Sequence, residues 1–182
     1  MSLPTAPFEG IVYRAHHPRW AFEPASGIGA SQHGGRFNRP GIPTLYTSLR
    51  VETAWLEAQH GFAFKAQPLT ICAYKVNCAD VLDLSSPGIR EAAGFSLDDL
   101  GCAWEDLADQ GSEPPTWGIA QCLMNAGIAG VIVPSFASRA TPEDRNLVFW
   151  TWEDAKPHFV RVIDDHERLP KNDLSWKRKS DG

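Results

Sequence analysis

The sequence predicts a single α+β domain, and three observations carry that assignment. Several short segments are rich in β-branched and aromatic residues, as strands require. Two longer stretches repeat apolar residues at helical spacing. The two kinds of segment are mixed without regular βαβ alternation, which separates the pattern from a doubly wound α/β fold. At 182 residues the chain fits one domain and is long enough to bury a core. Its 43% hydrophobic and 21% charged residues are those of an ordinary globular protein.

Taken in order, residues 11–15 (IVYRA) read as the first strand, with Arg14 near its end. Residues 16–42 are rich in glycine and proline and predict a long functional loop. A short strand at 43–47 leads into a helix over 49–60, with Ser48 as its N-cap. In that helix Val51, Ala54, Trp55 and Ala58 form the apolar stripe, and Glu57 falls on its flank. Residues 69–76 (LTICAYKV) alternate as a strand, and 80–84 continues it after a turn. Residues 86–112 predict short helices broken by glycines. Thr116 opens a stronger helix that Gly127 stops. The apolar run in 130–135 (GVIVPS) is the pattern of a buried central strand, and 146–152 and 158–164 supply two more. The domain therefore spans 1–170, followed by a flexible basic tail at 171–182.

Composition excludes several functions. A formal net charge of −5 argues against direct nucleic-acid binding, which needs a basic face, although seven tryptophans and the basic tail would be its natural apparatus. Cys72, Cys78, Cys102 and Cys122 form no CxxC pair and read as reduced thiols of a cytoplasmic protein. The first residues lack the pattern of a signal peptide, and no stretch is long enough to span a membrane. The histidines have no metal-ligand spacing, so no metal is expected. His16 and His17 are adjacent and would face opposite ways on a strand. GxxxxGK[ST], HExxH and GxSxG are absent, and GIGASQHGG matches a dinucleotide fingerprint only loosely, because no strand directly precedes it.

What remains is a set of polar residues at the ends of elements: Arg14, Arg36, Tyr46, Glu57, Ser135, Arg145 and Asn146. Ligands gather where a rigid scaffold presents side chains from several elements. Each also has a plain structural reading. Arg14 could pair with a surface carboxylate, Tyr46 could be a core aromatic, Glu57 a solvated boundary residue and Ser135 a turn or cap. Only the Gly34-Gly35-Arg36 turn favours a ligand by itself, since paired glycines permit close backbone approach and arginine offers a rigid fork for anions.

In succession, Tyr13-Arg14, GGRFN (34–38), LYTS (45–48), TAWLE (53–57), Val133-Pro134-Ser135 and NLVF (146–149) resemble the RES domain. The likeness runs from about Tyr13 to Trp150, and Phe37 stands where tryptophan is also common. The resemblance implies a fold similar to ADP-ribosyltransferases, with mixed or antiparallel sheets flanked by helices. It implies a toxin of a bacterial toxin–antitoxin pair that consumes NAD+ without a metal. The partner would be an antitoxin with a helix-turn-helix domain and a segment covering the active site. On the matching positions Arg14, Tyr46 and Glu57 are the catalytic residues, and Arg14, Arg36, Tyr46, Ser135 and Asn146 bind NAD+. The arginines would clamp the pyrophosphate, Tyr46 would stack on nicotinamide, and Glu57 would stabilise the cationic sugar. The 16–42 loop and the irregular 86–115 segment offer a surface for a protein acceptor. That favours mono-ADP-ribosylation of a cellular protein over release of ADP-ribose to water or phosphate. A non-catalytic nucleotide-binding module is the alternative outside enzymes, and the presence of Glu57 beside both arginines counts against it.

Overall fold

Strand pairing organises the molecule, for which a computed structural model describes residues 3–59 and 68–177. β1 (Ala6–His16) and β3 (Thr70–Asp83) lie antiparallel along most of their length, from Ala6↔Val81 to His16↔Thr70. Their alternation builds a core: Val12, Cys72, Tyr74, Val76 and Cys78 are buried, while Ile11 and Ile71 face outward. β2 (Leu45–Ser48) pairs with β5 (Arg145–Phe149), and β5 with β4 (Gly130–Pro134), both antiparallel. β4 then runs parallel to the end of β3. A single pairing, Tyr13↔Ser48, joins β1 to β2 and closes these five strands into a ring. β6 (His158–Val162) adds to β3 from outside the ring.

The ring separates two cores. One gathers Val12, Leu45, Tyr74, Val76, Leu147 and Phe149. The other holds Phe37, Leu82, Leu100, Leu123, Val131 and Val148, beneath helices on the opposite side of the sheet. Those helices are α3 (Pro87–Ala92), α4 (Leu97–Leu100) and α6 (Pro115–Asn125); α5 (Trp104–Asp109) lies between α4 and α6 in the chain and buries no residue, and α1 (Ile28–His33) and α2 (Val51–Gln59) come before α3. α6 buries Thr116, Ile119, Ala120 and Leu123, one continuous helical face. Gly127, at φ +79°, ends it in a Schellman motif. There the Ile128 N–H donates to Leu123 O and the Gly127 N–H to Met124 O. This is the stop expected from the sequence.

Four expectations change. The loop at 16–42 contains α1 and a 3-10 turn at Pro18–Trp20, because hydrogen bonds from the distant Trp117, Trp150 and Trp152 hold its backbone despite the glycines. The break expected between 76 and 80 is absent: β1 offers partners through Val81, so β3 is one strand of 14 residues. Ser48 does not cap α2, since it belongs to β2 and its hydroxyl donates to Asn146. Finally, the apolar stripe of α2 is not its buried face. Val51 and Trp55 are 40% and 39% exposed, whereas Thr53 and Ala54 are buried. Residue 60, the expected end of that helix, and residues 178–182 of the basic tail lie outside the described residues. Within the tail, Leu174–Trp176 make a 3-10 turn, and Trp176 packs edge-on against His17.

Candidate active site

Three elements meet around one carboxylate. Glu57 sits in the last turn of α2, Ser135 directly follows β4, and Asn146 lies near the start of β5. Glu57 Oε1 accepts from Ser135 Oγ at 2.6 Å and from Asn146 Nδ2 at 2.5 Å. Asn146 Oδ1 in turn accepts from Ser48 Oγ at 2.7 Å, which fixes the orientation of the amide. The sheet register dictates this meeting. Ser48 pairs with Asn146 and Asn146 with Val133, so both polar side chains leave the same face of the ring. A half-buried carboxylate held by two neutral donors has a fixed direction, which is what preorganised stabilisation of a cationic intermediate requires.

Arg36 stands beside this cluster. Its Nη1 donates to Leu100 O at 3.1 Å and Cys102 O at 2.6 Å, and its guanidinium lies 4.8 Å from the Phe136 ring centroid. Burial lowers its pKa, while Cys102, Glu57 and Tyr46 act in the opposite sense. An arginine nonetheless stays charged.

The GGRFN turn that presents Arg36 is fastened from every side. Tyr46 OH accepts from the Phe37 N–H at 2.9 Å and donates to Asn38 Oδ1 at 2.7 Å. Burial pushes the Tyr46 phenol well above its ordinary range, so it remains a neutral donor. Asn38 is fully buried and donates from Nδ2 toward the carbonyls of Ala30, Arg39 and Ile42. Indole N–H groups of Trp117 and Trp150 reach the carbonyls of Gly35 and Phe37. Gly35 is required here by crowding, because a Cβ would come within 2.6 Å of Tyr46 OH.

Arg14 occupies different surroundings. Tyr13 shares the face of Ser48 through their pairing, so the next residue, Arg14, leaves β1 on the other face with Cys72 and Tyr74. Its Nη1 donates to Pro24 O and Ser26 O, both at 2.9 Å, and Tyr74 OH shares the Pro24 carbonyl at 2.6 Å. Burial lowers its pKa, partly offset by Tyr74 and Cys72. A small pocket opens there between Arg14, His16, Trp20, Glu23, Ser26 and Ile28. The structure thus brings Glu57, Ser135 and Asn146 into direct contact with Arg36 beside them. It ties Tyr46 to the turn rather than to the carboxylate, and it sets Arg14 apart.

A sequence model of the RES domain matches residues 11–172. The chain belongs to the RES domain family. Two relatives within reach are proteins named NAD(+) phosphorylase MbcT, from Mycobacterium bovis and Mycobacterium tuberculosis. Each is 30% identical over 133 residues, covering 67% of this chain and 72% of the relative. The crystal structure of the M. tuberculosis MbcT–MbcA toxin–antitoxin complex contains a similar fold. Its TM-score is 0.60 at 23% identity, over 88% of this chain and 84% of that one. Of this RES domain's site, the sequence reading missed Ser48, Asn38, Thr53, Asp144 and the two indole donors. Ser48, Asn38 and Thr53 had a visible signal, since they stand in the LYTS, GGRFN and TAWLE segments. Among the described residues, no group of three or more His, Cys, Asp or Glu is placed to hold a metal ion, and no helix is long and apolar enough to cross a membrane.

Proposed function

We propose that this RES domain is the toxin of a toxin–antitoxin pair acting in the cytoplasm, and that it destroys NAD+ by moving its ADP-ribosyl group to inorganic phosphate. The bond between nicotinamide and ribose breaks, nicotinamide leaves neutral with the bonding electrons, and a phosphate oxygen forms the new bond to the same ribose carbon. The observation that carries this reading is the Glu57 carboxylate held by Ser135 and Asn146. In that role Glu57 accepts from a ribose hydroxyl and stabilises the positive charge growing on the sugar. Arg36 binds the pyrophosphate, for which a guanidinium fork is suited. Tyr46 offers only its ring to nicotinamide, since its hydroxyl is committed to the turn. Arg14 supports the site from the other face of β1 by holding the 24–26 backbone. The phosphorylase name carried by both relatives favours phosphate over the protein acceptor expected from the sequence. The partner in this reading is a cognate antitoxin that covers the site, with its own helix-turn-helix domain for DNA.

Transfer to a protein is the second reading. One observation favours it: the 16–42 loop and the 86–115 segment both border Arg36, which bonds to the carbonyls of Leu100 and Cys102. The deciding experiment incubates the purified chain with adenylate-labelled NAD+ in buffer, with added phosphate, and with native cell extract. Phosphorolysis yields labelled ADP-ribose phosphate and free nicotinamide at a rate that rises with phosphate. A labelled protein band formed only with extract supports the second reading instead. No nicotinamide release under any condition rejects both and leaves a binding module.

A further inference from the structure

The groups that meet at Glu57 come from separate parts of the chain, and one buried carboxylate outside the cluster joins those parts. Asp144 is 4% exposed and precedes β5 by one residue. Its Oδ1 accepts from Thr53 Oγ1 at 2.5 Å, and its Oδ2 accepts from the Thr141 N–H and hydroxyl, both at 2.8 Å. Its main-chain carbonyl accepts from the Ser135 N–H at 2.8 Å. Arg50 Nη1 lies 4.0 Å from Oδ1. Thr53 and Glu57 are four residues apart on α2, hence on the same helical face. Ser135 and Asn146 stand at the two feet of the loop that Asp144 closes.

We infer that Asp144 and Thr53 are positioning residues for the reaction: their hydrogen bond sets the distance from α2, which carries Glu57, to the loop feet that carry Ser135 and Asn146. The inference rests on the proposed function, in which Glu57 acts on the ribose. Both residues are buried, and neither side chain hydrogen-bonds to the side chains of Glu57, Ser135 or Asn146, so their effect passes through the placement of α2 and of the loop. Small shifts of this kind matter, because an error of about 1 Å in a reacting group lowers turnover by about a hundredfold.

The test is Thr53→Val, which replaces the hydroxyl by a methyl group of the same shape, beside Thr53→Ser, which keeps the hydroxyl. Turnover and KM for NAD+ are measured by nicotinamide release, with phosphate present and well below each variant's melting temperature. Thr53→Val is expected to lose about tenfold or more in kcat with KM within about threefold of the unaltered chain, the signature of a group displaced in the transition state. Thr53→Ser is expected to restore kcat to within about threefold. Asp144→Ala, if it folds, should match or exceed the Thr53→Val loss. A Thr53→Val protein with unaltered kcat and a lower melting temperature overturns the positioning role and leaves the bond merely structural. Equal losses in the Val and Ser variants overturn it as well. Absence of nicotinamide release by the unaltered chain is a different failure, because it rejects the reading of function on which the inference rests.

Discussion

Arg36 and Arg14 are both half-buried, and each divides one nitrogen between two main-chain carbonyls, yet they serve two different regions. Arg36 lies on the face of the sheet that carries Ser48, Asn146 and the Glu57 carboxylate, and its cation rests on Phe136. Arg14 lies on the other face, under the 24–26 segment that it shares with Tyr74. The first region is built from side chains bonded to side chains, drawn from three elements. The second is a loop fastened by its own backbone carbonyls. A carboxylate cluster of the first kind points its oxygens at a definite place, whereas a fastened loop mainly has a shape. The proposed reaction therefore assigns the chemistry to the first region and its framing to the second.

The largest effect that would break this division is at Glu57. Glu57→Gln keeps the size of the side chain and removes its charge. Turnover of NAD+ should fall by roughly 10²–10³, as expected when one preorganised electrostatic group is lost. A variant releasing nicotinamide at the full rate would remove Glu57 from the reaction and reduce the cluster to packing.

The arginines come next. Losing a charge-assisted hydrogen bond to a bound anion costs about 1.5–3 kcal/mol. Arg36→Ala should therefore raise KM for NAD+ by at least about tenfold, with a smaller effect on kcat. Arg14→Ala should instead lower the melting temperature, because the Ser26 carbonyl loses its donor and the Pro24 carbonyl keeps only Tyr74 OH, a cost of about 1–3 kcal/mol. Steady-state kinetics beside thermal melts separate the two. If both variants raise KM equally and melt alike, the two regions are one site, as the sequence pattern alone suggests.

That pattern made much of the molecule legible. The apolar run of β4 and the glycine stop of α6 are local signals, and local rules read them correctly. Glu57, Ser135 and Asn146 stood out because each sits at the end of an element, and these three are the ones that converge. What stayed hidden depends on partners far along the chain. Thr53 and Glu57 make the inner side of α2 polar, and their partners lie 91, 78 and 89 residues away, so apolar periodicity chose the exposed Val51–Trp55 stripe. The tryptophans were conspicuous in composition, but their purpose was not. Trp117, Trp150 and Trp152 use their N–H groups on carbonyls of the 16–42 loop, at separations of 82, 113 and 127 residues. The same bonds hold a loop whose glycines, taken locally, predict no fixed structure.

A smaller effect tests whether Tyr46 belongs to the frame. Tyr46→Phe retains the ring and leaves the Phe37 N–H and Asn38 Oδ1 without their partner. Stability should fall by about 1–3 kcal/mol, the cost of orphaned buried polar groups. KM for NAD+ should change by less than about threefold if the ring is all that Tyr46 offers a ligand. Denaturant unfolding gives the first quantity and steady-state kinetics the second. A large loss of kcat without loss of stability would move the phenol from the frame into the chemistry.

The smallest effect distinguishes the regions by how they respond to acid. The loop is held by indole N–H donors, which do not titrate, whereas the support of the carboxylate cluster passes through Asp144. Hydrogen bonds from Thr53 and Thr141, aided by Arg50, hold the Asp144 pKa below its ordinary value of 3.8 against the opposing effect of burial. A carboxyl depressed in the folded state contributes stability that is complete above that ordinary value. It loses the contribution as pH falls through its lower folded value. The melting-temperature gap between the unaltered chain and Asp144→Asn should therefore be constant from pH 7 to about pH 5 and narrow steadily toward pH 2. The gap produced by Trp117→Phe, which removes a neutral donor from Gly35 O, should show no such trend. Parallel narrowing in both variants would mean that acid loosens the whole ring at once, and the two regions would then share one response.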